Sequence, residues 1–215
     1  MNSGILITFE GLDGCGKSTQ LEKALEWLSS RGCTVLKTIE PGGTKIGQQI
    51  RSILLNPEHK KLQPESELLL YLSDRIQHLQ ETIIPALEAG KIVLCDRFHD
   101  STVAYQGYGR GLNLNSIESI VEHYINPYAP DLTILLNISP ETVATRLDQR
   151  QKKTNKNRLD LESLNFFKRT EKGFKSLAKI EPERYVCLDG EQEIEVIHQE
   201  IVAVLKKRFK LQDPC

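Results

Sequence analysis

Residues 11–18, GLDGCGKS, spell G-x-x-x-x-G-K-[ST], and this pattern limits what the chain can fold into more than any other feature. It works only between a strand and a helix. Glycines let the backbone close around a phosphate, and the N–H groups at the helix start point at it. The flanking residues supply both elements. Residues 4–10, GILITFE, are short, apolar and β-branched, as in a buried strand. Over 19–31, apolar residues recur at Leu21, Ala24, Leu25 and Leu28, a helical spacing. In this setting Lys17 is expected to reach the outer phosphates of ATP or GTP and Ser18 to ligate Mg²⁺. A functionless glycine turn is the competing reading. One residue is out of place in an anion cradle: Asp13 brings a carboxylate into it.

The alternation continues. Residues 33–40, 91–96, 132–138 and 184–189 read as further strands, and 45–55, 65–88, 113–125, 140–150, 162–179 and 192–209 as helices. Pro85 should bend or end the long helix, whose buried stripe is Leu68, Leu72, Ile76, Leu79 and Ile83. Strands separated by helices predict an α/β, three-layer fold: a five-stranded, mostly parallel sheet flanked by helices, of the P-loop NTPase kind. No repeat or linker interrupts residues 1–215, which read as one domain.

Composition removes several functions. With 28 basic and 29 acidic residues, nothing global marks a nucleic-acid or membrane-surface binder. No apolar run approaches the ~20 residues of a spanning helix, and MNSGILITFE lacks the basic start of a signal peptide. Five cysteines without C-x-x-C spacing read as reduced thiols of a cytoplasmic protein rather than a disulfide frame or zinc site. Cys15, inside the loop, reads as a small filler rather than a redox group.

Three further features bear on a second substrate. Asp96 ends an apolar strand, where a carboxylate faces Mg²⁺, and Arg97 follows it. Strand ends of an open α/β sheet share one edge, so Arg97 should face the same crevice as Lys17 and suit a second phosphate; an Asp–Arg pair closing a surface turn is the alternative. Tyr71 and Arg75 are four residues apart and so on one helix face, with Asp74 and Gln77 beside it. They could stack on and hydrogen-bond a base, or be a core tyrosine beside a solvated arginine. Arg146, Arg150, Lys152, Lys153, Lys156 and Arg158 crowd one polar stretch. It reads as a mobile loop about 148–160: a solvated run, a weak nucleic-acid arm, or a lid that excludes water and brings charge to a migrating phosphoryl group.

Taken together, FEGLDGCGKST (9–19), EPGGT (40–44), ELLLYLSDR (67–75), DRFHDSTVAYQGYGRG (96–111) and NRLD (157–160) resemble, in order and spacing, the thymidylate kinase family of nucleoside monophosphate kinases. The resemblance implies Mg-ATP-dependent phosphorylation of dTMP to dTDP, and a homodimer, through the 65–88 helix. It implies that Gly11, Leu12, Asp13, Gly14, Cys15, Gly16, Lys17, Ser18 and Thr19 bind the ATP phosphates, and that Ser18 and Asp96 serve the metal. Arg97 would hold the dTMP phosphate, and Tyr71 would stack on thymine. Arg75 would bond the thymine carbonyl, and Tyr105 would crowd the 2′ position. Glu40, Ser101, Thr102 and Gln106 would line the nucleoside pocket. Asp13 would contact the deoxyribose 3′-hydroxyl, an aspartate capping its own loop being the alternative.

Three positions depart from the family's usual text. Ile39 replaces an arginine before EPGGT, Asn157 replaces an aspartate in the lid, and Gly14 stands where some members carry a catalytic arginine. The last resembles the bacterial type, in which lid arginines act; Arg150 and Arg158 are then the candidates, with Arg146 and Lys153 behind them. The remaining rivals are a P-loop kinase for another monophosphate or a nucleoside, and a nucleotide-dependent switch.

Overall fold

The computed structural model describes residues 4–151 and 157–209, apart from the side chains of Asn126, Arg150 and Gln151. Five parallel strands form one sheet in the order β2-β3-β1-β4-β5. They are β1 Ile5–Glu10, β2 Val35–Ile39, β3 Ile92–Asp96, β4 Leu132–Asn137 and β5 Tyr185–Asp189. The helices are α1 Lys17–Ser29, α2 Lys45–Leu55, α3 Pro64–His78, α4 Ile84–Glu88, α5 His99–Thr102, α6 Leu114–Tyr124, α7 Pro140–Gln151, α8 Leu164–Ile180 and α9 Ile194–Phe209. The all-parallel, three-layer α/β arrangement is the one the alternating pattern predicts.

Alternate strand residues serve opposite layers. Leu6, Val93 and Cys95 pack with Leu72 of α3 and Ile117 of α6. Ile7, Phe9 and Leu94 pack with α1 (Leu21, Ala24, Leu28), α8 (Phe166, Phe174) and α9 (Ile197, Ile201). With both faces covered, the central strands read as continuous apolar runs.

Two helical segments differ from the sequence reading. Pro85 does not end the long helix, which runs on to Glu88. A widened π turn, Leu79–Ile83, joins α3 to α4, and Pro85 falls in the first turn of α4. Proline has no N–H and crowds the carbonyl four residues back; widening the preceding turn relieves both. The second segment follows β3, where no helix was expected. There α5 runs into a second π stretch, Val103–Gly109. Residues 99–107 are all buried, polar His99, Asp100, Ser101, Thr102 and Gln106 included, so no solvent-facing side marks a helical period.

Strand order decides where the site lies. From β1 the chain crosses to β2 on one side of it; from β3 it crosses to β4 on the other side. The crevice of an open parallel sheet opens at such a reversal, above the carboxyl ends of the strands. Here it falls between β1 and β3, whose ends are in register with Phe9 opposite Asp96.

Candidate active site

The loops after β1 and β3 and the facing side of α3 enclose a cleft of about 430 Å³. Asp13, Gly14, Gly16, Lys17, Ser18 and Thr19 line it, as do Glu40, Tyr71, Arg75, Asp96, Arg97, Ser101, Thr102, Tyr105 and Gln106. Leu12 and Cys15 lie buried beneath the loop. Gly11 offers its carbonyl as a floor.

On the strand-end wall, Lys17 is buried and donates from Nζ to the carbonyls of Gly11 (3.0 Å) and Leu12 (2.9 Å). Gly16, at φ 100°, starts α1 in a left-handed conformation that a side chain disfavours. Ser18 Oγ donates to Asp96 Oδ2 at 2.5 Å. Two hard oxygen donors beside a phosphate loop fit Mg²⁺.

Arg97 adopts φ 74°, a left-handed backbone that costs a non-glycine residue roughly 1 kcal/mol or more. Its Nη1 donates to Gly11 O (3.0 Å) and Ser101 Oγ (2.9 Å). Its Nη2 donates to Asp13 Oδ1 (2.9 Å) and Tyr105 OH (3.2 Å). The Tyr105 hydroxyl in turn donates to Asp13 Oδ2 at 2.8 Å. Asp13 thus does not cap its own loop; it ties the loop after β1 to the one after β3. Burial pushes its carboxyl up, but the charges of Arg97 and Lys17 and the bonds from Tyr105 and Arg97 hold it down at about 2.

Beneath this group lies Glu10, fully buried. Oε1 accepts from the Phe98 N–H (2.7 Å) and the Ser101 N–H (3.3 Å), and Oε2 from Ser101 Oγ (2.6 Å). It therefore anchors the backbone immediately after the strained Arg97. Burial, then the neighbouring Asp100 charge, raises its carboxyl to about 7 against the pull of Arg97 and these hydrogen bonds.

The helix wall is built from buried side chains. Arg75 donates from Nε to Glu40 Oε2 (2.6 Å), from Nη1 to Thr102 Oγ1 (2.7 Å) and from Nη2 to Phe98 O (3.0 Å). His78 Nδ1 meets Glu40 Oε1 at 2.9 Å, and its Nε2 meets Thr38 Oγ1 at 2.6 Å. Burial raises the Glu40 carboxyl, but Arg75 and His78 bring it below the usual range. Gly43 makes room for this: a Cβ there would overlap the His78 imidazole. Arg75 is accordingly not the solvated arginine of the alternative reading. Gln106 Nε2 donates to Glu67 Oε1 at 2.7 Å.

The basic stretch divides. Lys152, Lys153 and Lys156 lie outside the described residues, as does the Arg150 side chain. Arg146 on α7 donates from Nη1 to Gly14 O at 3.0 Å, so an arginine does stand beside the loop glycine that replaces the family's arginine. Arg158, expected to serve the migrating group, does not line the cleft here. It is buried, donates from Nε to Leu54 O (2.9 Å), and sets Nη2 2.6 Å from Glu67 Oε2. The buried Glu67 carboxylate, which Arg110 also pairs, is a stronger attraction than water. Asn157 Oδ1 accepts the N–H groups of Leu159 (2.9 Å) and Asp160 (3.0 Å), so the missing aspartate charge leaves the local cap intact.

Sequence reasoning missed Glu10, Arg51, Glu67 and His78. Arg51 lines the cleft and donates from Nη1 to Pro41 O at 2.6 Å, supplying a cation where Ile39 does not. Glu67 had a signal: with Tyr71 and Arg75 it follows the i, i+4, i+8 spacing of one helix face.

The family model for thymidylate kinase matches residues 9–201. The thymidylate kinase of Bacillus licheniformis is 42% identical over 208 residues, covering 97% of this chain and 98% of that protein. That of Halalkalibacterium halodurans is 42% identical over 211 residues, covering 98% and 100%. Among solved structures, thymidylate kinase from Ehrlichia chaffeensis superposes with a TM-score of 0.77 at 32% identity, over 95% of this chain and 99% of that one.

Proposed function

The chain belongs to the thymidylate kinase family and phosphorylates dTMP to dTDP, and we propose how its residues divide that work. The observation that carries the assignment is that one cleft joins the phosphate loop, Arg97, and the Tyr71–Arg75–Gln106 wall. ATP is the phosphoryl donor, held by the loop of residues 11–19. An oxygen of the dTMP phosphate attacks the γ-phosphorus in line. The bond from that phosphorus to the β–γ bridging oxygen breaks, and its electron pair leaves with ADP. The acceptor is already an anion, so no strong base is needed; the work is positioning and charge neutralisation.

Lys17 leaves its loop carbonyls to stabilise charge on the transferring group, and Arg97 holds the dTMP phosphate. Tyr71 stacks on thymine, Arg75 donates to its carbonyl, and Ser101, Thr102 and Gln106 line the nucleoside. Glu40 holds Arg75 in orientation. Tyr105 crowds a ribose 2′-hydroxyl. A carboxylate has lone pairs beyond the two used by Arg97 and Tyr105, so Asp13 can also accept the 3′-hydroxyl. Ser18 and Asp96 would hold Mg²⁺, which supplies charge neutralisation between the phosphates when bound. Arg150 and Arg158 serve a basic lid at about 148–160 on a single domain, residues 1–215; Arg158 must exchange Glu67 for phosphate to act.

The protein works in the cytoplasm as a homodimer, with no nucleic-acid or membrane partner. Among the described residues no helix is long and apolar enough to cross a membrane. Leu69 on α3 and Ile46 and Ile53 on α2 leave apolar side chains at the surface of neighbouring helices, which favours a partner there.

The test is ADP release with Mg-ATP against dTMP, dUMP, UMP, dCMP and AMP. The expected order is dTMP first, dUMP weaker and UMP negligible. ADP release that ignores the acceptor would overturn the site assignment.

A further inference from the structure

Glu67 has no role in that division of work, yet it is wholly buried and three side chains converge on it. Gln106 Nε2 donates to Oε1 at 2.7 Å. Arg110 donates from Nε to Oε1 (3.2 Å) and from Nη2 to Oε2 (3.1 Å). Arg158 Nη2 lies 2.6 Å from Oε2. Burial raises the Glu67 carboxyl, but the bonds and charges of Arg110, the Gln106 amide and Arg158 take it below the usual range. Glu67 is thus ionised and can only accept hydrogen bonds.

That settles which way the neighbouring amide faces. Turned over, Gln106 would set its carbonyl oxygen against a carboxylate oxygen, two acceptors with no proton between them. Its NH₂ must face Glu67. The carbonyl end is then the one left for the cleft, which Gln106 lines. We propose that Glu67 is a specificity-determining positioning residue: by taking the Gln106 amide nitrogen it fixes an acceptor toward the nucleobase and selects pyrimidines with an N3–H donor.

The inference rests on reading this cleft as the dTMP site. Thymine and uracil carry N3–H beside a 4-carbonyl. Cytosine carries a bare N3 acceptor beside a 4-amino donor. Arg75, a donor-only group in the same cleft, matches the carbonyl and not the amine. The fixed Gln106 carbonyl matches N3–H and opposes the bare N3. A site built around one hydrogen-bond pattern rejects the wrong one far more strongly than an apolar pocket rejects a change of shape. Glu67 touches no base; it acts through the amide. A glutamine at position 67 could donate or accept, and would let Gln106 turn.

The experiment measures kcat/KM for dTMP, dUMP and dCMP at saturating ATP in the wild-type chain and in Glu67→Gln. The dTMP:dCMP ratio should fall by about tenfold or more, with dTMP and dUMP moving together. An equal loss for all three bases, as a purely structural glutamate would give, overturns the proposal. In a Gln106→Leu background the same substitution should leave the ratio unmoved, and a further shift overturns it. Should Glu67→Gln fail to fold, a neutron crystal structure of the wild-type chain with dTMP, in which deuterons mark the amide nitrogen, decides. Nε2 of Gln106 on Glu67 and Oε1 on N3 are expected, and an amide turned away from Glu67 refutes the idea. A wild-type chain without dTMP turnover would overturn the site reading and this inference together; an active wild type with an unmoved ratio would remove only the role of Glu67.

Discussion

The two walls of the cleft are built from different materials. The strand-end wall is mostly backbone: the loop N–H groups, the carbonyls of Gly11 and Leu12, and charged side chains laid over them. Its central ion pair, Arg97 with Asp13, keeps 16% and 21% of its side-chain surface exposed. The helix wall is mostly side chain, and its pair, Arg75 with Glu40, keeps 2% and 1%. A partly wet pair can lose a member and let water replace it. A dry pair cannot, because the remaining charge stays unsolvated. The strand-end wall should therefore be separable from folding, and the helix wall should not.

Arg97→Ala attacks the first half of that contrast and carries the largest effect. Turnover with dTMP should fall at least about a thousandfold, while the thermal midpoint stays near that of the wild type. A midpoint drop as deep as that of a helix-wall variant would erase the distinction. Glu40→Ala attacks the second half. Stranding Arg75 should cost about 3–5 kcal/mol in urea unfolding, besides weakening dTMP binding. Full stability with only KM raised would show the helix wall to be as separable as the other.

Glu10→Gln sharpens the contrast, since Glu10 is a fully dry carboxylate under the strand-end wall. Its folded value, about 7, lies above its ordinary 4.5. The folded chain then holds more protons than the unfolded one between these values, and stability falls as pH rises through that window. The charges facing it are Asp100, which strengthens the shift, and Arg97, which opposes it. The variant should lose this slope; thermal midpoints at pH 5 and pH 8 that differ as in the wild type would count against it. The smallest effect on folding belongs to Leu69→Glu, on the outer surface away from both walls. Stability of the fold should move by less than about 0.5 kcal/mol, while sedimentation should show the proposed dimer weakened.

The same contrast explains what could be read from the sequence. The phosphate loop is contiguous, and its mechanism is set by local backbone geometry, so its eight residues are legible as text. Arg97 and Asp96 follow from strand-end placement alone. The helix wall is assembled across the chain: Glu40 meets Arg75 35 residues on, and Glu67 meets Gln106 39 residues on. No short pattern records such a pairing. Tyr71 and Arg75 were visible because they share a helix face, whereas His78 shows nothing until Glu40 and Thr38 are beside it. The helical stretch after β3 was hidden for another reason. Where every side is covered, the polar–apolar rhythm that marks a helix is absent.

The carboxylate in the anion cradle has a consequence of its own. The Arg97 guanidinium already holds Asp13, and Asp13 already holds Tyr105. A phosphate held by Arg97, as proposed, therefore meets a cation that already has a carboxylate partner and must compete with it. What the cleft reads is a difference between two ligands, the one it was folded with and the one offered. A weakly held anion gains little from that exchange, whereas an ester carrying a sugar hydroxyl can occupy the guanidinium and also satisfy the carboxylate it dislodges.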